Sequence, residues 1–333
     1  MGTLKLLKGK IPLSVITITI CTLAFVMLFY TETISPFSFR LKSCPRRNTA
    51  KKSSQDDRNR DFGALNYAAD DRFEFDPEEC SLVHGKWVFN RSIKPLYSDR
   101  TCRYLDRQVS CVKNGRPDSD YRHWEWQPDD CILPRFDPEI ALRKLQGKRL
   151  MFVGDSLHRG QWQSFVCLVD SVIPQGQKSM KRGRLHSVFK AKDSKHGQIG
   201  WTQISIQQNK SIFHYNVPLH ERSADWGNEN GTRCFNETKP ITKKRYWGSG
   251  SNTQMMSVVA RVVKRMKFPV TLINITQLSE YRIDAHTSIY TELGGKLLTD
   301  EQQADPLHYA DCVHWCLPGV PDTWNQILYA HLL

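Results

Sequence analysis

The sequence predicts an α/β fold in which a parallel sheet is flanked by helices, with a disulfide-stapled N-terminal subdomain and one transmembrane helix ahead of it. Three observations carry that expectation. A buried-strand run, Arg149-Leu150-Met151-Phe152-Val153, turns sharply into a segment whose apolar residues Trp162, Phe165, Val166 and Val169 recur at helical spacing. A second helical pattern, again followed by a β-branched run, comes later in the chain. Ten cysteines, together with an uncharged apolar run near the start, fit a domain that folds in an oxidising compartment behind a membrane.

In chain order, Ile11 to Tyr30 carry no charge and are long enough to cross a bilayer as a helix. Residues 11–30 are read as an uncleaved signal anchor, because a small-residue cleavage site should follow a leader, whereas Thr31-Glu32-Thr33-Ile34 comes next. Residues 1–10 are then a cytosolic tail. Lysines before the span and arginines after it leave the orientation open, so the cysteines and glycosylation sequons decide it. Apart from Cys21 and Cys44, eight cysteines remain: Cys80, Cys102, Cys111, Cys131, Cys167, Cys234, Cys312 and Cys316. Their even number suits a disulfide framework, with the pairing left open by spacing. Asn-x-Ser/Thr acceptors at Asn90, Asn209, Asn230, Asn236 and Asn274 all lie beyond the span and agree with a lumenal domain.

Residues 31–72 are polar and basic, without apolar periodicity, and form a lumenal stem. Residues 73–136 are rich in Cys, Trp, Pro and Asp, which predicts short strands and loops held by disulfides. Trp87, Trp124 and Trp126 there either fill a small core or stack on sugar rings. Residues 137–333 carry the alternating elements. Met255, Val258, Val259, Val262, Val263 and Met266 mark an amphipathic helix after Ser251 as cap, and Pro269 admits a strand from Val270 to Ile275. Trp324, Ile327, Leu328 and Leu332 trace a final helix, whereas Lys190 to Asn209 is polar and lacks a good strand pattern.

The net charge of +13 points to an anionic partner. The basic run Lys51-Lys52-Ser53-Ser54-Gln55-Asp56-Asp57-Arg58 reads as a solvated linker beside a membrane, so no nucleic-acid partner is expected. No metal site is expected either, since no Cys-x-x-Cys pair occurs and Cys312 and Cys316 have no matching second pair.

Chemistry is concentrated in two short motifs. Gly154-Asp155-Ser156 ends the strand and opens the helix, where a sharp turn exposes a side chain and the first helical N–H groups lack partners. A serine there would have an oxyanion site beside it, supported by the positive end of the helix dipole. A hydroxyl needs a base, and Asp311 and His314 supply a carboxylate and an imidazole from one turn. Separately these are an ordinary cap and an ordinary histidine; together, in this order, they form a candidate triad.

These residues resemble those of the trichome birefringence-like family of plants, membrane-anchored relatives of the GDSL/SGNH hydrolases. The resemblance runs through Cys80, Gly85-Lys86-Trp87-Val88, Pro95-Leu96-Tyr97, Cys111, Asn114-Gly115-Arg116-Pro117-Asp118, Met151 to Leu157, Leu278-Ser279-Glu280-Tyr281-Arg282, Asp284-Ala285-His286-Thr287-Ser288 and Asp311 to Gly319. It implies an SGNH/GDSL-like parallel sheet and a Golgi-membrane, single-pass type II protein with its catalytic domain in the lumen. It implies transfer of acetyl groups to a cell-wall polysaccharide, xylan first, with Ser156 as nucleophile, His314 as base and Asp311 as its orienter. No bound cofactor is implied, only an acetyl donor, of the acetyl-CoA-derived kind, as co-substrate. The implied disulfides are Cys80–Cys131, Cys102–Cys167, Cys111–Cys316 and Cys234–Cys312.

Two departures stand against the family pattern. Gly160 occupies the place of a usual Asn, and the chain is short around residues 190–210, where SGNH relatives carry an Asn that donates to the oxyanion. Two other readings therefore stand beside transfer: a polysaccharide acetylesterase, and a non-catalytic polysaccharide-binding protein.

Overall fold

The computed structural model describes residues 79–82, 84–183, 186–191, 198–203, 218–267 and 270–333. The predicted tail, anchor and stem, and the Asn209 sequon, lie outside the described residues. Within those residues no helix is long and apolar enough to cross a membrane.

Strands β1 (Gly85–Phe89) and β2 (Trp124–Pro128) pair antiparallel, with Trp87 opposite Trp126. The two indoles meet edge to face at 5.6 Å, and the Arg282 guanidinium lies 4.4 Å from the centre of the Trp87 ring. The Trp87 and Trp126 N–H groups donate to the Leu278 and Leu82 carbonyls, which gives both rings a place in the core.

Helix α1 (Pro138–Lys144) starts where the sequence chemistry favours it, with Pro138 in its first turn and the Asp137 carboxylate accepting from the Glu139 and Ile140 amides. Strand β3 (Arg149–Gly154) follows, and then helix α2 (Ser156–Asp170), capped by Asp155. Trp162, Phe165, Val166 and Val169 are all buried on α2, as their spacing predicts. Strands β4 (Lys178–Arg182), β5 (His186–Ala191) and β6 (Gln198–Gln203) complete a sheet in the order β3-β6-β5-β4.

That sheet overturns the expected parallel one. Only β3 and β6 run parallel; β6 with β5 and β5 with β4 are antiparallel. The reason lies in the connections, because β4, β5 and β6 follow one another through short links, and a parallel crossover needs a dozen residues or more. Helix α3 (Thr253–Arg265) forms where predicted but is capped by Asn252 rather than Ser251, and none of its residues is buried, so it flanks no sheet face as a core helix would. Val270 to Ile275 joins none of the sheets and leads instead into α4 (Thr276–Glu280). The polar stretch in which no strand was expected contributes β6.

Strand β7 (His286–Ser288) is followed by a small ribbon, β8 (Glu292–Leu293) with β9 (Lys296–Leu297), then the short helices α5 (Asp300–Gln303) and α6 (Pro306–Tyr309). Strand β10 (Asp311–Trp315) pairs antiparallel with β7, and α7 (Val320–Ala330) closes the chain's fold against α2. Trp324 and Ile327 are buried on α7. Phe136 bridges the two helices, its ring 5.8 Å from Phe165 and 5.1 Å from Tyr329. Each such apolar side chain, fully buried, contributes about 1.5–3 kcal/mol.

Asp322 ties three elements together. Its Oδ1 accepts from Tyr97 at 2.7 Å and from Ser164 of α2 at 2.5 Å, and its Oδ2 from the Gly319 amide at 2.6 Å. Four disulfides join Cys80–Cys131, Cys102–Cys167, Cys111–Cys316 and Cys234–Cys312, the pairs that the resemblance implies. Two of them bind the N-terminal segment to α2 and to the end of β10.

Candidate active site

Ser156 stands at the first position of α2, immediately after β3. A Cβ at Gly154 would strike the His158 imidazole, so the turn needs glycine for close approach. Asp155 Oδ1 accepts from the Leu157 amide at 3.0 Å and from the His158 amide at 3.4 Å, and lies 3.1 Å from His158 Nδ1. Two helix-end N–H groups expected to face an oxyanion are thus already held by the cap. The Ser156 amide is the one in that first turn that Asp155 does not take.

Asp311 and His314 sit on β10, whose pairing with β7 is irregular: Asp311 faces Ser288 and Trp315 faces His286, so β10 fits extra residues between these points. Asp311 Oδ1 accepts from the Val313 amide at 3.1 Å and the His314 amide at 3.0 Å, bending the strand so that the imidazole returns over its own carboxylate. His314 Nδ1 then lies 2.7 Å from Asp311 Oδ2, and His314 Nε2 lies 2.7 Å from Ser156 Oγ. The three sequence-predicted residues therefore meet in one hydrogen-bonded line.

Electrostatics assign the protons. Burial pushes the Asp311 carboxyl up, but the His314 imidazole and the two amides outweigh it and hold it at about 2. An ionised Asp311 can only accept, so Nδ1 of the neutral ring carries the hydrogen and Nε2 accepts from the serine hydroxyl. Asp311 and His314 side chains each keep 17% exposure, enough for a substrate to reach them from solvent. Behind them, His286 Nδ1 donates to the His314 carbonyl at 3.0 Å, and its ring stacks on Trp315 with centroids 4.0 Å apart. Burial, with His220 beside it, holds the His286 imidazole well below its ordinary range.

Sequence reasoning missed a second group of contacts. Gln108, on a short turn of the N-terminal segment, places Nε2 3.2 Å from His314 Nδ1, while its Oε1 accepts from Arg159 Nη2 at 2.6 Å. Its turn carries no periodicity, so no pattern could have marked a single glutamine.

The remaining predicted residues fall as follows. Asn230 and Asn236 are exposed. Asn90 is half-buried and donates to Glu125, and Asn274 accepts from the amide of Thr276, which is buried. No group of three or more His, Cys, Asp or Glu among the described residues is arranged to hold a metal ion. An apolar groove of about 420 Å³ lies against β3 and the first turns of α2, lined by Leu150, Val153, Leu157, Ile273, Ile275 and Trp324.

A serine at a strand-to-helix turn, met by a carboxylate-backed imidazole from a later strand, is the arrangement found in enzymes of serine-dependent acyl-ester chemistry. The chain belongs to the PC-Esterase family, the GDSL/SGNH-like acyl-esterase family found in Pmr5 and Cas1p, whose model matches residues 133–198 and 196–331. The PMR5 N-terminal domain model matches residues 78–132. The chain is 47% identical to Protein trichome birefringence-like 3 of Arabidopsis thaliana over 422 residues, covering 97% of each. It is 38% identical to Probable xylan O-acetyltransferase 8 of Oryza sativa subsp. japonica over 442 residues, covering all of this chain and 99% of the relative. It is 35% identical to Xylan O-acetyltransferase 3 of the same rice, over 77% of this chain. The first two aligned spans exceed this chain's 333 residues, so those relatives carry residues without a counterpart here. The two family matches meet at residues 196–198, within the region that reads as short.

Proposed function

We propose that the chain transfers acetyl groups to hydroxyls of a plant cell-wall polysaccharide, xylan in the first instance, from a Golgi-membrane anchor with its catalytic domain in the lumen. The observation that carries the reading is the line Ser156 Oγ, His314 Nε2, His314 Nδ1, Asp311 Oδ2, with 2.7 Å at both polar contacts. The names of the rice relatives support the substrate class, and the net charge of +13 suits a polysaccharide bearing uronate groups.

In this reading Ser156 Oγ attacks the carbonyl of an acetyl ester while its proton passes to His314 Nε2. The donor's leaving oxygen or sulfur departs with that proton, leaving acetyl-Ser156. A sugar hydroxyl then gives its proton to Nε2 and attacks the acetyl carbon, and Ser156 recovers its hydrogen as the ester of the sugar leaves. Asp311 remains ionised throughout and holds the imidazolium formed in each step. With two helix-end amides committed to Asp155, oxyanion stabilisation is thinner than the fold could supply, and losing one donor costs about a hundred- to a thousandfold in turnover.

The family's own description as acyl-esterases favours a second outcome at the same serine, in which water attacks the acetyl-enzyme. Incubation with an activated acetyl ester and xylo-oligosaccharides, followed by mass spectrometry, separates the two. Acetylated sugar that vanishes in Ser156→Ala supports transfer, and acetate without acetylated sugar supports hydrolysis. Sugar binding with no turnover in either protein sinks both and leaves a binding protein.

A further inference from the structure

The short 3₁₀ turn Arg107–Val109 is held at several points against the strand that carries the base. The Val109 carbonyl accepts from the Leu317 amide at 2.9 Å, the Gln108 carbonyl from Thr291 Oγ1 at 3.2 Å, and Cys111, just beyond, is bonded to Cys316. From this fixed backbone Gln108 reaches the imidazole. Its amide can point only one way, since Oε1 takes the Arg159 guanidinium and Nε2 is left facing His314. Arg159 is anchored in turn: its Nε lies 3.7 Å from Asp106 Oδ2, and that carboxylate also accepts from Gln163 at 2.6 Å and Arg182 at 2.7 Å.

The hydrogen on His314 Nδ1 belongs to Asp311, so the Gln108 amide is not what that nitrogen donates to. Its Nε2 packs 3.2 Å from that nitrogen, beside the Asp311 carboxylate, and blocks rotation of the ring toward the Gln108 side. The Asp311 hydrogen bond orients the ring from one side, and the Gln108 amide limits its swing on the other.

We infer that Gln108 is a positioning residue for His314: clamped by Arg159, its amide confines the imidazole to the line between Asp311 and Ser156, making the N-terminal segment part of the active site. The inference rests on the serine-dependent reading above, not on the identity of donor or acceptor. Arg159 and Gln108 act as one unit, and neither touches the reacting carbonyl.

The test uses the full chain and a small fluorophosphonate, which reacts at an activated serine and needs neither sugar nor acetyl donor. Its saturating rate of attachment to Ser156 is measured apart from its half-saturating concentration. Gln108→Ala should lower the limiting rate roughly ten- to a hundredfold, leaving half-saturation and thermal unfolding unchanged. Gln108→Asn, too short to reach, should match it should the alanine variant fold poorly. Arg159→Gln should lose a similar amount, and the double variant no more than either alone. Limiting rates equal to wild type, or losses that multiply in the double variant, overturn the inference. Wild-type labelling without sugar acetylation sinks the transfer reading and leaves this test intact, whereas a wild-type serine that resists the probe counts against both.

Discussion

His314 stands on a strand clamped on either side, Cys312 to Cys234 and Cys316 to Cys111, with its carbonyl held by His286. Ser156 opens α2 just after β3, a strand that among the described residues pairs with β6 alone and so stands at the edge of its sheet there, with the groove of about 420 Å³ beside it. His314 is thus flanked by disulfides two residues away on either side, whereas the one disulfide of the helix that Ser156 opens, Cys167 to Cys102, lies eleven residues along it. Ser156 and His314 should therefore respond to different perturbations, although a single 2.7 Å contact joins them.

Removing the covalent clamp should give the largest effect. Replacing Cys111 and Cys316 together by serine opens a link spanning 205 residues and should cost about 4–5 kcal/mol in denaturant unfolding. Serine labelling should fall with it, and a variant that keeps wild-type labelling would erase the distinction drawn between the two sides. On the nucleophile's side, Phe165→Ala leaves a cavity between β3 and α2 and should cost about 3–5 kcal/mol, read by the same unfolding curves.

Acid separates the sides by sign. Burial raises the Asp322 carboxyl to about 6, so the folded chain holds a proton there that the unfolded chain, at 3.8, has released. Its contribution is whole below about pH 4 and is lost as pH rises through 6, a change of about 3 kcal/mol. Asp311, held at about 2, behaves oppositely: its contribution of about 2 kcal/mol is present above about pH 4 and fades as pH falls toward 2. Chemical unfolding at a series of pH values should therefore show a decline from pH 4 to 6 that flattens in Asp322→Asn, and an acid decline that flattens in Asp311→Asn. The smallest effect belongs to the cap. Asp155→Ala should cost about 1 kcal/mol, yet it releases the Leu157 and His158 amides, so acyl-transfer rates should fall less than stability suggests.

Much of this site was legible in the sequence because its determinants are local. The four apolar residues of α2, the strand-to-helix turn Gly154-Asp155-Ser156 and the Asp-x-x-His turn each depend on a few neighbouring residues, and each lies where its pattern places it, although Asp155 serves there as the helix cap. The sheet was not legible. Val270 to Ile275 has the β-branched composition of a strand but joins no ladder among the described residues, whereas Gln198–Gln203, polar at three of six positions, becomes β6 beside β3. Ladder membership depends on which neighbours the connections allow, a property of link lengths rather than of any one segment. Gln108 escaped for a related reason, since its importance comes from residues 159 and 314, far away in the chain.

The bond between Cys111 and Cys316 also sets an order of events. Everything between the two cysteines must be synthesised before they can meet, and one partner lies two residues from the base. Cys80–Cys131 and Cys102–Cys167 have both partners in hand far earlier in synthesis, so the link beside His314 is among the last that the growing chain can close.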